Sequence, residues 1–244
     1  MRIAILSDIH GNLTAFEAVL KDLRETAPDL VWHGGDLADG GSRPADIVDR
    51  IRALGWAGVL GNTDELLFDP ASLTEFASHA PEKLRPLFAA IAERAAATRE
   101  MLGEERLDWL RTLPRTQLLD ELALVHASPE SLWRAPAPEA GDAEVEKAYA
   151  GLGRPIAVYA HIHRSYVRKL GGMTVANTGS VSLSYDGDCR AAYLLVDEIG
   201  PRIEIQIRRV AYDVEAEVKA LKDCGLPHGD WVAEMLRTAR FAMP

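Results

Sequence analysis

Apolar and polar positions along the first sixty residues fall into alternating blocks. Ile3 to Leu6 form a short continuous apolar run, the pattern of a buried strand. Leu13, Phe16, Leu20 and Leu23 then recur at 3-4-3 spacing, which is one face of an amphipathic helix. Leu30 to Trp32 reads as a second strand. Pro44 opens a helix that carries Ile47, Ile51 and Leu54 and that Gly55 closes. Ala57 to Leu60 reads as a third strand. Strands alternating with helices of this length imply parallel pairing with helices on the sheet faces, the α/β class.

From Asp64 to Leu113 the texture becomes helical and alanine-rich. Leu84, Leu87, Ile91 and Ala95 share one helix face, and Leu107, Leu110 and Leu113 share another before Pro114 stops the run. Fifty residues without a strand signal predict a helical insertion. Strand signals resume at Gln117 to Leu119 and Leu122 to Val125. Ser128 to Asp142 reads as a long loop, Ala143 to Ala150 as a short helix, and Ile156 to Ala160 as a strand. One hairpin is predicted to turn at Gly171-Gly172. Another pairs Ala191 to Val196 with the alternating stretch Ile203 to Ile207. Amphipathic helices near Val214 to Leu221 and Trp231 to Leu236 follow, so that helices cover about 213–241. The whole, 1–244, is read as a single domain.

Composition narrows the function. The 244 residues are 48% hydrophobic and 26% charged, ordinary for a globular chain that buries a sizeable core. A net charge of −10 argues against stable nucleic-acid binding by charge, but leaves room for a local cationic centre supplied by metal ions. Two cysteines, Cys189 and Cys224, make no disulfide framework and suit a reducing compartment. No stretch reaches the roughly 18 apolar residues of a membrane helix. The apolar run at the N-terminus is too short for a signal peptide, so the expected location is cytoplasmic.

The chemistry lies at the strand ends. Asp8, His10, Asp36, Asn62, His126, His161 and His163 all fall at or just after an apolar run. In open α/β sheets, sites form outside the carboxyl ends of the strands, so these runs aim nitrogen and oxygen ligands at one crevice. In Asp8-Ile9-His10 the outer residues lie on one side of an extended segment, and His161-Ile162-His163 repeats the device. Gly34-Gly35-Asp36 leaves room for a carboxylate to bridge two ions, and Gly61-Asn62 offers a neutral amide oxygen. Carboxylate, imidazole and amide ligands without thiolates suit Mn²⁺, Fe or Zn²⁺, with Mn or Fe favoured, and seven are too many for one ion.

In order, Asp8-x-His10, Gly35-Asp36, Gly61-Asn62, His126 and His161-x-His163 resemble the five motifs of the calcineurin-like metallophosphoesterases. Asn177-Thr-Gly-Ser-Val181 and Asp186 to Arg190 resemble the closing segments of the small bacterial and archaeal phosphodiesterase-like branch. The resemblance implies a four-layer α-β-β-α sandwich with two mixed sheets. It also implies that Asp8, His10 and His163 bind one metal, that Asn62, His126 and His161 bind the other, and that Asp36 bridges them. The implied activity is dinuclear-metal-dependent hydrolysis of phosphoesters, most of all phosphodiesters, with a metal-bridging hydroxide as nucleophile.

The chain departs from the family pattern at Thr63, where the fuller third motif has a histidine that assists the leaving group, and at Ala160, where many members have glycine. Asp64 is a candidate catalytic group beside Asp36 and Asn62, or a helix cap. Asn12 is a phosphate contact or a helix N-cap, and Arg164 a phosphate contact or a solvated arginine. Trp133 and Arg134 line a substrate entrance or pack in the core. Asn177 supports the site or shapes a turn. His33, His79 and His228 are given no chemical role. The expected partner is a phosphoester small molecule or nucleotide. A nucleotide or dinucleoside-polyphosphate hydrolase and a protein phosphatase stand as alternatives. A non-catalytic scaffold of the same fold would have no need of all seven ligands.

Overall fold

The computed structural model describes residues 1–199 and 202–244. The chain begins β1 (Arg2–Leu6), α1 (Leu13–Thr26), β2 (Leu30–His33), α2 (Pro44–Leu54) and a two-residue β3 (Ala57–Gly58). Four helices follow: α3 (Asn62–Phe68), α4 (Ala71–Ser78), α5 (Arg85–Leu102) and α6 (Glu104–Arg111). Next come β4 (Thr116–Leu119), β5 (Leu122–Val125), α7 (Asp142–Tyr149), β6 (Ile156–Tyr159), β7 (Tyr166–Lys169) and β8 (Thr174–Asn177). The chain closes with β9 (Ala191–Ile199), β10 (Arg202–Val210), α8 (Val214–Cys224) and α9 (Gly229–Thr238).

Two five-stranded sheets result, ordered β10-β9-β1-β2-β3 and β4-β5-β6-β8-β7. β1, β2 and β3 run parallel, as do β5, β6 and β8, while the remaining pairings are antiparallel. Both sheets are therefore mixed, and strand alternation builds the layers. Ile3 and Ile5 point with Trp32, Leu194 and Val196 at Leu124, Ile156 and Val158 of the other sheet. Ala4, Leu6, Tyr193 and Leu195 turn the other way and pack on Phe16, Ile47, Ile51 and Leu107 of the helices. On the far side, Ala157, Tyr159 and Val175 pack on Val145 and Tyr149 of α7. This is the expected α-β-β-α sandwich.

Local signals account for the first helices. Asn12 caps α1, its Oδ1 accepting the Ala15 N–H at 2.9 Å. Pro44 starts α2, and Gly55, at φ 64°, ends it in the left-handed region where a Cβ is unwelcome. The hairpin at Gly171-Gly172 joins β7 to β8 as expected.

Three expectations need correction. β3 spans two residues rather than Ala57 to Leu60, because the Leu60 N–H leaves the sheet for the Pro114 carbonyl, 2.8 Å away. Asn62, expected at a strand end, is instead the first residue of α3. Leu84, just before α5, and Leu87 and Ile91 on it are only half-buried, and the deep stripe is Ala90, Arg94, Ala95, Thr98 and Leu102. Polar partners elsewhere in the chain, described below, let Arg94 and Thr98 occupy it. No described helix is long and apolar enough to cross a membrane.

His33, at the end of β2, is completely buried, and neither ring nitrogen has a hydrogen-bond partner. Its ring lies against the bare backbone of Gly58, where an added Cβ would come within 2.4 Å of the imidazole. Burial lowers its pKa to about 4, against about 6.5 in an unfolded chain. Between those values the unfolded state binds the extra proton, so His33 takes away stability as the pH falls through 6.5 towards 4. Replacing His33 with Leu should shrink the stability difference between pH 7 and pH 5 by about 2 kcal/mol. Denaturant melts of both proteins at the two pH values check this, and an unchanged difference would count against it.

Candidate metal centre

Asp8 and His10 follow β1, Asp36 follows β2, and Asn62 opens the helix after β3. His126 follows β5, and His161 and His163 follow β6. The carboxyl ends of the parallel strands in both sheets thus deliver side chains to one place.

The local backbone there is unusual. Asp8, His10, Asp36, His161 and His163 have φ of 52°, 48°, 54°, 68° and 56°. A left-handed residue other than glycine costs roughly 1–3 kcal/mol and persists only where its surroundings over-determine it. Here the loops after β1 and β2 zip together, with Asp8 N–H to Gly35 O at 3.0 Å, His10 N–H to Asp36 O at 3.0 Å and Gly11 N–H to Leu37 O at 2.9 Å. Asp8 and His10 do converge while Ile9 is buried, but through a left-handed turn rather than the extended segment expected. The glycines serve a backbone contact more than space for a bridging carboxylate. A Cβ on Gly35 would lie 2.5 Å from the Gly61 nitrogen, and one on Gly61 would lie 2.1 Å from Asp36 Oδ1.

The side chains form two adjoining groups. In the first, His163 Nε2 is 3.1 Å from Asp8 Oδ1 and 3.2 Å from His10 Nε2. In the second, Asn62 Oδ1 is 2.8 Å from His126 Nε2 and 2.9 Å from His161 Nδ1. Asp36 Oδ2 stands between them, 3.8 Å from His10 Nε2 and 3.5 Å from His126 Nε2. Two ligands of one ion, each about 2.0–2.2 Å from it, lie roughly 3 Å apart. Asp8, His10 and His163 have ligand atoms close enough for one ion, as have Asp8, Asp36 and His126.

Burial and hydrogen bonding test whether ions fit. Asp8 is completely buried, and its Oδ1 has no hydrogen-bond partner, although Ser7 Oγ donates to Oδ2 at 2.5 Å. An orphaned carboxylate oxygen in the interior calls for a cation. Backbone carbonyls of Asp39, Gly34 and Leu183 lie 2.6, 2.7 and 2.5 Å from Nδ1 of His10, His126 and His163. A carbonyl can only accept, so each Nδ1 carries a proton and each Nε2 faces the site as the atom that would ligate an ion. Burial lowers the pKa of His10, and that of His161 to about 4, keeping both rings neutral as ligands must be. Burial pushes the Asp8 carboxyl up, but neighbouring His163 outweighs it and holds the group well below the usual carboxylate range. Burial of His163 is in turn outweighed by Asp8, which raises the pKa of that ring; a cation would take the place of the His163 proton.

The other candidates fall outside this cluster. Asn12 uses both ends of its amide within the fold, capping α1 and donating to Ser182 Oγ at 3.1 Å, which disfavours a phosphate contact. Asp64 accepts from the backbone N–H groups of Leu37, at 2.9 Å, and Gly61, at 3.4 Å. It ties the loop of Asp36 to the start of α3. Burial and the Asp36 charge raise its pKa to about 7. Arg164 faces solvent and pairs with Glu139 at 3.2 Å. Thr63 donates its N–H to Asp36 Oδ1 at 2.9 Å, and its buried hydroxyl has no partner. Asn177 donates to the Ala160 carbonyl at 2.6 Å and accepts the Gly179 N–H at 2.9 Å, bracing the approach to His161. Trp133 stacks on Phe76 at 5.2 Å and donates to Glu65.

Sequence reasoning missed a buried network that reaches the site from α5. Arg94 donates to Asp39 Oδ2 at 2.7 and 3.1 Å, and Thr98 donates to Asp39 Oδ1 at 3.0 Å. Asp39 is also the residue whose carbonyl orients His10. The available signal was an arginine and a threonine four residues apart in an alanine-rich helix, where small neighbours leave space for a buried cation.

Comparison with known proteins agrees with this geometry. The family model described as the calcineurin-like phosphoesterase superfamily domain matches residues 1–198. An uncharacterized protein from Methanocaldococcus jannaschii is 28% identical over 261 residues, covering 98% of each chain. A symmetrical bis(5′-nucleosyl)-tetraphosphatase from Yersinia enterocolitica is 28% identical over 177 residues, covering 69% of this chain but 57% of that enzyme. The crystal structure of a metallophosphoesterase from Sphaerobacter thermophilus superposes with a TM-score of 0.77 at 25% identity, covering 98% of this chain and all of that one. A hypothetical protein from Pyrococcus horikoshii superposes at 0.81 with 19% identity over 99% of both chains, which concerns the fold alone.

The Arg94–Asp39 pair gives a stability test. Removing one member of a buried ion pair strands the other and costs about 3–5 kcal/mol. Arg94→Met should lose stability on that scale, and Arg94→Met with Asp39→Asn should recover part of it. Denaturant midpoints of the two variants decide the matter, and a double variant no better than the single one would show that the stranded charge is not the cause.

Proposed function

Because the chain belongs to the calcineurin-like phosphoesterase superfamily, we propose that its seven clustered ligands hold two divalent cations and that it hydrolyses phosphodiesters. As a metal-dependent phosphoesterase it needs a charge-neutralising centre, and the observation that carries the assignment is the buried, unpartnered Asp8 Oδ1 among oriented imidazoles. Asp8, His10 and His163 take one ion, Asn62, His126 and His161 the other, and Asp36 lies between the two groups. The oxygen and nitrogen donor set favours Mn or Fe, with Zn as the alternative. Such a pair supplies Lewis acidity towards a phosphoryl oxygen and lowers the pKa of bound water.

The protein's own part is to hold this array. Carbonyl acceptors fix three ring tautomers, Thr63 N–H and Gly61 fix the Asp36 carboxylate, and Asp64 fastens the two loops together. The chain works as one domain in which the helical segment 64–113 shapes access to the site and supplies no ligand from α4, α5 or α6. A nucleotide or dinucleoside-polyphosphate hydrolase is the second reading, supported by the similarity to the tetraphosphatase over 69% of this chain.

Asp36→Asn should remove both activity and metal occupancy, because two cations held close together need an anionic ligand between them. Elemental analysis and initial rates on bis(p-nitrophenyl) phosphate test this, and a variant keeping two ions and full turnover would refute the role of Asp36.

A second test concerns Thr63. General acid help is typically worth ~10²–10⁴-fold, and a threonine hydroxyl cannot provide it near neutral pH. The rate should therefore fall steeply as leaving-group pKa rises, with aryl esters far ahead of alkyl ones. A leaving-group series at saturating metal measures the slope. A shallow slope would mean that another group delivers the proton.

A further inference from the structure

Beside His163 lies an open depression of about 540 Å³ bounded by Arg164, Tyr185, Asp186, Arg240 and Phe241. The Tyr185 ring stacks on the imidazole of His163, with centroids 4.6 Å apart and planes 15° from parallel. Phe241, from the segment after α9, meets Tyr185 edge to face at 5.7 Å and is 50% exposed. Two ring-to-ring steps therefore lead from a candidate metal ligand to a solvent-facing phenyl ring.

The charges around this path are unusual for a chain of net charge −10. Arg164 is the residue after His163, and Arg240 makes no ion pair among the described residues. Arg164 has only an exposed surface contact with Glu139, the kind of pair worth little in solution. The one carboxylate in the wall, Asp186, is already neutralised by Arg209. The depression thus presents two cations and an aromatic ring next to the place where a phosphate would be hydrolysed. Single exposed apolar residues are ordinary, but this one adjoins the site through Tyr185 and is flanked by unspent cations.

Resting on the phosphoesterase reading, we propose that this depression is the subsite for the nucleoside part of a nucleoside phosphate. The base packs against Phe241, and Arg164 and Arg240 attract phosphate oxygens that are not being hydrolysed. The path from His163 through Tyr185 to Phe241 is about the reach of a nucleotide from phosphate to base. The protein's overall acidity favours a small nucleotide over a polymer, whose binding needs many cationic contacts.

Two esters with the same leaving group test this: thymidine 5′-monophosphate p-nitrophenyl ester and methyl p-nitrophenyl phosphate. The wild-type protein should show a lower KM for the nucleotide ester. Phe241→Ala should raise that KM roughly 5- to 100-fold, the range of losing one base–aromatic stack, while kcat and the methyl ester kinetics stay unchanged. Arg240→Gln, which leaves the rings in place, should weaken the binding of thymidine 5′-diphosphate, which carries a phosphate beyond the reacting one, and reduce the dependence of that binding on salt. Calorimetry gives a readout without turnover: binding of thymidine 5′-monophosphate should weaken in Phe241→Ala, and binding of thymidine 5′-diphosphate should weaken in both variants. Equal KM values for the two esters in the wild type, or binding untouched by either substitution, would overturn the subsite. If neither ester is hydrolysed but the nucleotide binds and Phe241→Ala weakens it, the subsite stands and the hydrolase reading fails.

Discussion

Two carboxylates, Asp8 and Asp36, are buried within a few ångströms of three imidazoles, those of His10, His126 and His163, and no lysine or arginine pairs with either among the described residues. An ionised carboxylate in the interior costs several kcal/mol unless it is matched by charge and hydrogen bonds. The nearest buried guanidinium, Arg94, is committed to Asp39. Within the described residues only histidine protons, that of His163 first, can offset this charge, and bound cations would offset it more fully; the surrounding geometry follows from placing that charge. Tight loop contacts at Gly35 and Gly61, left-handed ligand residues and carbonyl-locked rings are each costly or restrictive alone. Together they fix a set of donors suited to cations.

Those local costs are offset by ordinary packing elsewhere. The inter-sheet core and the helix-facing core are continuous with the strands that end at the site, so the ligand loops emerge from rigid supports. Because ligands come from both sheets, the site also depends on how the sheets pack. A core substitution that shifted one sheet against the other would move His126, His161 and His163 relative to Asp8, His10 and Asp36. The helices between β3 and β4 attach to this frame through Arg94, and α8 attaches through buried Glu217, which accepts from Thr14 and from the Ser42 N–H.

The sequence made much of this legible, for a physical reason. Asp8, Asp36, His126 and His161 each follow a short apolar run, and a strand buried on both faces must be apolar until it leaves the sheet. Polarity resumes where the site begins, so ligands announce themselves by position. Gly171-Gly172 was readable because a two-residue turn has a narrow chemistry. What was not readable depended on distant partners. Arg94 is 55 positions from Asp39, and nothing local distinguishes it from a solvated arginine. β3 ends early because of a bond to Pro114, far along the chain. The left-handed turn at Asp8 and His10 was hidden for a related reason, since it is imposed by the facing loop and not by the propensity of the residues.

The choice of acceptor behind the histidines has its own consequence. His10, His126 and His163 are each oriented by a backbone carbonyl and not by a carboxylate. A carboxylate partner would titrate, add negative charge to an already acidic site and raise ligand basicity. A carbonyl raises basicity too, but it neither titrates nor adds net charge, and its position is set by backbone that side-chain substitution barely changes. The three carbonyls belong to loops after β2 and β8, one of them in the Gly34-Gly35 segment where a Cβ cannot enter. The tautomers are thus encoded in loop geometry, and the loops are fixed by glycines and by Asp39 and Asp64. Substitutions at Asp39, Gly35 or Gly61 would therefore reach the proposed metal ligands through the main chain, although none of these residues is itself a candidate ligand.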